Sequence, residues 1–266
     1  MSVTWSIARA TFKESMQKKI MWVFFGLALL IIGLSFVFSY FSPSEELTLI
    51  KSIGLGIIYL FGVLIALIIT AGLIPTEIER RTLHTVLSKP IERWQFVIGK
   101  FLGVALVLFM NMMLMAIALL IVVMSKGSAR AEGFFKALIT NSRILEASLL
   151  LFFYLLILSA FAILFSIFST TNISITLSAF VFVIGSLSDY VADIIKLSHN
   201  LLTSVILKAL HLIVPNFGNA SIYNSVIHGY IPTGEALYVL MALAYSLAYC
   251  LVLMLLSTWI FAGKEV

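Results

Sequence analysis

The sequence predicts an all-α membrane protein with six transmembrane helices, from its composition and from the pattern of its apolar runs. Hydrophobic residues make up 62% of the chain and charged residues 11%, against about 25% charged in an average soluble domain. A soluble fold of this size could not bury so much apolar surface. The long runs are apolar on every side rather than alternating, which excludes barrel strands and leaves helices to satisfy the backbone.

Residues 1–19 predict an amphipathic helix that lies at the membrane interface and connects to the first span. In helical register, one apolar face is formed by Trp5, Ala8, Phe12 and Met16. Lys13 falls elsewhere and Arg9 falls at the edge of that face. An apolar stripe beside basic residues is typical of a helix that lies on a membrane.

Six segments are each long enough to cross about 30 Å of hydrocarbon. They are 20–40, 52–74, 101–124, 144–169, 173–191 and 236–262. No small-residue cleavage site follows the first segment, so we expect a retained anchor rather than a signal peptide. Residues 20–266 are therefore predicted to form a single six-span domain.

A charged insert, residues 75–100, separates the second and third spans, and we expect it to stay in water. Thr76 and Glu79 match a capping box, with the threonine as N-cap. This pattern predicts a short amphipathic helix from about Glu77 to Leu87. Glu77 and Arg81 are four residues apart on it, in the orientation that favours an ion pair.

The insert is predicted to bend after that helix, because Pro90 disfavours a helical residue before it. A second helix should begin near Ile91 and continue into the third span. The result is an elbow at the membrane surface. Two interpretations of the elbow stay open: a well-capped loop with snorkelling charges, or an element that docks into a groove of a soluble partner.

Charge distribution predicts that both termini are cytoplasmic. With this orientation, the pieces 1–19, 75–100, 170–172 and 263–266 carry the whole net charge of +5, as the positive-inside rule requires. The segment 192–235 then lies outside. It is too long for a turn and too polar to span, and Pro215 interrupts it. We expect its helices to pack at the outer membrane face or to re-enter it.

Several functional classes lack the residues that they need. The chain has no G-x-x-x-x-G-K-[ST] phosphate loop, no H-E-x-x-H and no G-x-S-x-G. Its histidines are scattered, so no metal or cofactor site is expected, and Cys250 is the sole cysteine. A net charge of +5 without a basic, aromatic surface does not indicate a nucleic-acid binder. Charges are absent from the middle of every span, which argues against a proton-coupled carrier. The same absence favours a transporter that moves an apolar or amphipathic substrate.

Small residues mark expected packing faces within the spans. Gly99 and Gly103 open the third span, and the fifth carries Ser174, Ser178 and Gly185 on one face. Polar residues inside spans are more often interhelical hydrogen bonders than path-lining groups. The ones in question are Tyr59, Asn111, Tyr154 and Ser159.

The elbow resembles a known family. The pattern E-I-E-R-R-T-L-(x3)-L-S-K-P-I-(x)-R-(x2)-F-(x2)-G-K at residues 77–100 is similar to that of permease subunits of ATP-binding-cassette exporters of the type-2 transporter class. The resemblance extends over the whole chain. It is nearest to bacterial and archaeal permeases labelled multi-copper-enzyme maturation or drug and sodium efflux components. The chain departs from the family at Arg81, where glycine is usual, and at Val86, where leucine is usual.

The resemblance implies that the elbow is the coupling helix, seated in a cleft of a separate ATPase subunit that binds ATP and magnesium. The residues implied in coupling are Glu77, Glu79, Arg81, Thr82, Leu83, His84, Leu87, Lys89, Pro90 and Arg93. Trp5, Arg9, Phe12 and Lys13 would belong to the connecting helix that contacts the same ATPase. A homodimer with two ATPase chains is implied, with the first and fifth spans, and the face of Ser174, Ser178 and Gly185, at its seam.

The sequence therefore leads to a transmembrane permease of the cell (inner) membrane that has no catalytic residues of its own. It would export an unidentified substrate. The alternative is a membrane mechanotransmitter or assembly scaffold that uses the same elbow without transporting anything. An intramembrane enzyme is a much weaker third reading, because the chemistry it would need is missing.

Overall fold

The computed structural model describes residues 3–38, 46–79, 92–127, 141–188, 194, 214–217 and 235–263. In these parts every regular element is a helix and no strand occurs. The helices are α1 (Val3–Gln17), α2 (Lys19–Phe38), α3 (Glu46–Ala71), α4 (Leu73–Glu79), α5 (Arg93–Gly127), α6 (Arg143–Phe168), α7 (Thr171–Ser186) and α8 (Glu235–Ala262). The predicted all-α class is confirmed.

Five helical stretches in the described parts are long and apolar enough to cross a membrane. They are Lys19–Phe38, Glu46–Glu77, Arg93–Ser125, Arg143–Phe168 and Leu237–Ala262, which match predicted spans one to four and six. The predicted fifth span corresponds to α7, which has 16 residues and covers about 24 Å. Because residues 189–191 lie outside the described parts, the six-span count stays a prediction.

Helix α6 is the centre of the bundle. It packs against α3, α5, α7 and α8, and 83% of its apolar window is buried, against 22% for α2 and for α8. A helix that is apolar all round can be buried in this way without exposing a polar face. The peripheral α2 instead leaves Val23, Leu27, Leu30 and Leu34 exposed along one side of the protomer.

Glycines set the distance between neighbouring spans. A Cβ added at Gly54 of α3 would lie 2.1 Å from a methyl of Leu119 on α5, and one at Gly62 would lie 2.5 Å from a methyl of Leu155 on α6. Small residues allow this approach between membrane helices. The pairing of Gly54 with Leu119 and of Gly62 with Met112 also shows that α3 and α5 run antiparallel.

Helix α1 lies lengthwise along the first half of α5. Ile7 contacts Gly99, Thr11 contacts Gly103, and Met16 contacts Asn111, so the two helices advance in step and run parallel. Gly99 and Gly103 thus form a packing face, as predicted, and the helix that packs on it is α1.

The buried face of α1 differs from the predicted apolar face. Ala8, Thr11 and Ser15 are fully buried, whereas Trp5 is 45% exposed. Small side chains face inward because the glycines of α5 bring the two backbones close together. Whether α1 also lies at a membrane interface stays a prediction.

The described residues Val214–Phe217 of the predicted outer segment insert between α7 and α8. The Phe217 N–H donates to the Gly185 carbonyl at 3.0 Å, and the Asn216 N–H donates to the Tyr245 hydroxyl at 3.2 Å. Phe217 packs on Phe182, whose ring in turn packs on Tyr59 of α3.

That contact locates the segment along the axis of the bundle. Tyr59 is about 20 Å along α3 from Glu46, at about 1.5 Å per residue, so these four residues lie well away from the end of the bundle at which α3 begins. Re-entry of the chain into a membrane stays a prediction. The helices predicted elsewhere in 192–235 fall almost entirely outside the described residues and stay a prediction.

Candidate functional site

The two described arms of the charged insert meet at one end of the bundle, which we call the base. The base is formed by α4, the first two turns of α5, the N-terminal helix α1 and the end of α8. Here two ion pairs and the hydrogen bonds of an arginine join these helices.

The first arm, α4, begins earlier than the sequence predicts. A turn at Gly72 ends α3, and α4 then runs from Leu73 to Glu79. Thr76 is therefore the fourth residue of the helix, and the predicted N-cap role is wrong. Its N–H and its hydroxyl both bond the Gly72 carbonyl. Pro75 falls in the first turn, where its missing N–H costs nothing, so the helix can start before it.

Lys100 connects three helices at the base. Its ammonium forms an ion pair with Glu77 of α4 and lies 3.9 Å from the carboxylate of Glu14 on α1. It also lies 5.7 Å from the centre of the Phe96 ring. The Lys100 side chain is 5% exposed, that of Glu77 is 18% exposed and that of Glu14 is 45% exposed.

This ion cluster corrects the expectation that the insert keeps its charges in water. Glu77 and Lys100 both withdraw from solvent, and each offsets part of the other's desolvation. Removing one partner from a buried pair costs about 3–5 kcal/mol, because the remaining charge stays buried. The cluster therefore ties α4, α5 and α1 together more firmly than exposed ion pairs would.

The second arm is joined to the last span. Arg93, the first residue of α5, donates from Nη1 to the carbonyl oxygens of Phe261 and Ala262 at 3.2 and 3.0 Å. A cation at the carboxyl end of a helix satisfies its last carbonyls and opposes its dipole. One turn further on, the buried rings of Phe96 and Phe261 stack with 5.7 Å between their centres.

The predicted coupling residues divide into two groups. Glu77 and Arg93 lie at the base, on opposite arms of the insert. For Glu79 only the helical backbone is described. The tip of the elbow lies outside the described residues, and with it Arg81, Thr82, Leu83, His84, Leu87, Lys89 and Pro90. The second arm begins within two residues of the predicted Ile91 and continues unbroken into the third span.

The predicted residues of α1 lie against α5. Trp5, Arg9, Phe12 and Lys13 border a cleft between the two helices, together with Leu106, Phe109 and Met110 of α5. Phe12 is partly buried, whereas Arg9 and Lys13 are exposed. Nothing in the described structure bears on contact between this surface and an ATPase.

The small face of α7 is occupied within the protomer. Ser174 and Ser178 are fully buried, and the Ser174 hydroxyl lies 2.8 Å from that of Ser169. A Cβ at Gly185 would lie 2.4 Å from the Phe217 ring. The three residues thus serve packing within one chain, and a seam between two copies would have to use other residues of α7.

The polar residues inside the spans bond differently from one another. Ser159 donates to the Leu156 carbonyl and Asn111 to the Val107 carbonyl, each within its own helix. Tyr154 of α6 and Tyr238 of α8 bond each other across helices. The interhelical role predicted for all of them is thus correct for Tyr154 and is wrong for Ser159, because the preceding turn offers a nearer acceptor.

Lys100 and Glu14 are the site residues that sequence reasoning missed. Lys100 belongs to the insert that the sequence predicts to stay in water, and Glu14 is not among the residues predicted to make contacts on α1. A signal existed: Lys100 stands between Gly99 and the apolar start of the third span, where a cation needs a partner. Among the described residues, no group of three or more histidine, cysteine, aspartate or glutamate side chains could hold a metal ion.

Comparison with models of known protein families gives a match. The sequence profile described as ABC-2 family transporter protein matches residues 5–266, which is nearly the whole chain and includes the base. No curated protein matches the chain at significant similarity.

Proposed function

The chain belongs to the ABC-2 family of transporter proteins, and we propose that it is the permease of an ATP-driven exporter whose elbow receives force from a separate ATPase. Members of this family are membrane components of ATP-binding-cassette transporters and are not themselves catalytic. ATP and magnesium would be bound by the ATPase. Two copies of the chain and two ATPase subunits would form the working transporter, with both termini on the cytoplasmic side of the cell (inner) membrane.

The observation that carries this proposal is the ion cluster at the base. A push on the elbow would act on α4 and on the start of α5. The contact of Lys100 with Glu77 and Glu14 passes a displacement of α4 to α5 and α1, and Arg93 passes it to α8. Connections that persist while the helices move are what a mechanical input needs, because a loop with solvated charges would absorb the motion.

The docking surface itself is assigned from the sequence. The charged and apolar residues of the tip, with Leu83 and Leu87 on the apolar ridge, suit a groove in a soluble partner. Glu77, by contrast, is engaged with Lys100, so we assign it to transmission of force rather than to contact with the ATPase. This separation gives two kinds of variant with different expected failures.

Contact with the ATPase is tested by co-purification. The chain is expressed with a candidate ATPase subunit, and Leu83→Asp and Glu79→Arg are compared with the wild type. Both variants should lose the ATPase, because each places a mismatched charge on the docking ridge. Glu46→Arg, the same charge reversal at the opposite end of the bundle, is the matched control and should keep the complex. Full complex formation by both tip variants would overturn the docking proposal.

Transmission is tested on an intact complex. Lys100→Met should keep the ATPase bound but weaken the effect of ATP on the permease, measured as the ATP-dependent change in distance between spin labels on α5 and α8. Substrate-stimulated ATP hydrolysis in proteoliposomes then distinguishes an exporter from a scaffold. If the complex forms but none of the tested compounds stimulates ATP hydrolysis, the scaffold alternative is favoured.

The exposed faces of α2 and α7 support a dimer. On α2 they include Val23, Leu27, Leu30 and Leu34, and on α7 Ile173, Phe180 and Val183, with Leu187 just after the end of the helix. Both helices pack on α3, whose one exposed large side chain is Leu60, 52% exposed. We assign the seam between two copies to this surface, which leaves the buried Ser174 face within each protomer.

Cross-linking tests the seam. In a Cys250→Ala background, Leu60→Cys should form a covalent dimer with a short bis-maleimide in membranes. Leu251→Cys on α8, where the leucine is 66% exposed, is the matched control and should react with a monofunctional maleimide but form no dimer. A dimer through position 251 and none through position 60 would place the seam on the opposite side of the protomer.

A further inference from the structure

The cleft between α1 and α5 has an apolar floor and a basic rim. Its volume is about 470 Å³, which lies in the range of ligand sites. Six side chains line it, three from each helix: Trp5, Arg9, Phe12, Leu106, Phe109 and Met110. A second opening of about 350 Å³ continues along α1 past Lys13 and Met16 and shares Arg9, Phe12 and Met110 with the first.

The rim carries two cations that face the cleft together. Arg9 and Lys13 are four residues apart on α1 and therefore lie on one face, one turn above the other. Both are exposed. Within the described parts of the chain, neither lies within ion-pair distance of a carboxylate: Glu14, the one acid of α1, lies beside Lys100 instead.

The cleft extends from the polar level of the base along the apolar part of α5. Lys100 and its two carboxylates mark a polar level on α5. Leu106 to Met110 are about 9–15 Å further along the helix at about 1.5 Å per residue. Phe109 and Met110 are about 40% exposed in the protomer. Arginine and lysine stems can cover such a surface while their charged ends stay at the interface.

We propose that this cleft is a binding site for an anionic phospholipid of the leaflet at the base. Its phosphate would lie between Arg9 and Lys13, and an acyl chain would lie on Phe12, Phe109 and Met110. Trp5 closes one end, and tryptophan favours the headgroup level of a membrane. A bound lipid would fill the gap between α1 and α5 and so join the helix that holds Glu14 to the one that holds Lys100.

An anionic phospholipid fits both the basic rim and the apolar floor of the cleft, whereas each of the other candidate ligands fits only one of them. A neutral lipid would leave the paired cations without a counter-charge. Inorganic phosphate would leave the apolar floor unused. The site needs only that the chain lies in a membrane, so it stands independently of whether the elbow docks an ATPase.

Native mass spectrometry of the purified full chain tests the site. The chain in neutral detergent is titrated with dioleoyl phosphatidylglycerol and, separately, with dioleoyl phosphatidylcholine. We expect tighter binding of phosphatidylglycerol. Loss of one basic residue near an anionic headgroup weakens binding about fivefold, so Arg9→Gln/Lys13→Gln should lose most of the preference. Lys19 is an exposed lysine outside the cleft, so Lys19→Gln is the control and should keep the preference for phosphatidylglycerol.

A second pair of variants tests the floor. Met110→Trp fills the cleft without changing any charge and should weaken binding of phosphatidylglycerol at least fivefold. Met241→Trp, at an exposed methionine of α8, should have no such effect. All variants are compared at equal monodispersity on size exclusion, so that a misfolded protein is not counted as a loss of binding.

Three results would overturn the proposal. One is an unchanged lipid preference in Arg9→Gln/Lys13→Gln. Another is an equal loss in Lys19→Gln, which would indicate general charge attraction. The third is equally tight binding of glycerol phosphate without acyl chains, which would make the site one for a free anion. If the double variant keeps lipid binding and loses a co-purified ATPase, the two cations belong to a protein contact.

Discussion

The base of the bundle and the segment 214–217 are both places where separate parts of the chain are joined, but by different forces. At the base, Lys100 links α1, α4 and α5 through buried charges. The segment 214–217 is held by Gly185 and Tyr245 through neutral hydrogen bonds and close packing.

The difference shows how each region can move. An ion pair that is partly screened from water keeps its attraction over several ångströms, because Coulomb energy falls slowly with distance. In close packing, a gap of about 0.5–1 Å already forfeits about a quarter to a half of the contact energy. The contacts of the base are thus suited to persist while the helices move, whereas the segment 214–217 is suited to be either seated or released.

The largest effect is expected at the base. Lys100→Met should lower the free energy of unfolding by about 3 kcal/mol, at the lower end of the range for a broken buried pair because Glu14 is half exposed. Unfolding by sodium dodecyl sulfate from mixed micelles gives the measurement. Lys100→Met/Glu77→Gln should regain most of the loss, since it removes the buried carboxylate as well. A single variant as stable as the wild type would show that the cluster does not join the helices.

The next effect is expected at the segment 214–217. Gly185→Val should destabilise the protein by about 1–3 kcal/mol, because the added carbons overlap the Phe217 ring and the Pro215 carbonyl. The segment should also become accessible, read as faster maleimide labelling of Asn216→Cys in a Cys250→Ala background. Amide exchange at the base should not change. Unchanged labelling at position 216 would mean that the segment is held elsewhere.

A smaller effect is expected where the second arm meets the last span. Arg93→Gln removes a charged donor from the Phe261 and Ala262 carbonyls, which should cost about 1 kcal/mol, since the contact is partly exposed. Hydrogen exchange in the last turn of α8 should rise about fivefold, while exchange near Tyr245 should stay constant. Equal hydrogen exchange in the wild type and in Arg93→Gln would show that Arg93 does not connect α5 to α8.

The smallest effect is expected on α2, outside both regions. No atom lies within 4 Å of a Cβ added at Gly33, so Gly33→Ala should stabilise the protomer by about 0.5–1 kcal/mol through helix propensity. Unfolding in monomeric micelles gives the value. A loss of stability in membranes that is absent in monomeric micelles would show that a second copy packs on this face.

The spans show how far local sequence can be trusted. The apolar runs 144–169 and 236–262 predict α6 and α8 to within one residue, because a backbone in hydrocarbon must bond to itself along the chain. Helix α3, by contrast, begins six residues before the predicted 52. The start of α4 was missed because a capping pattern at Thr76 competes with buried Leu73 and Ile74, which extend the helix backward. The elbow's second arm was predicted correctly, since a long apolar helix follows it.

The packing was less predictable. Gly99 and Gly103 predict a close contact between helices, but nothing in the sequence indicates that the partner helix is α1. The face of Ser174 was correctly read as a packing face, and its use within one chain was not foreseen. Membrane helices have no hydrophobic force that chooses their neighbours, so fit and hydrogen bonding decide them.

The sequence by itself determined the helical class, most of the membrane segments and, through its match to the family, the role of a permease. These follow from composition and from contacts between near neighbours in the chain. Only the tertiary structure decided that Lys100 meets Glu77, 23 residues away, and that Arg93 meets Phe261, 168 residues away. A pair of charges attracts across any sequence separation, so its partner is fixed by how the helices pack.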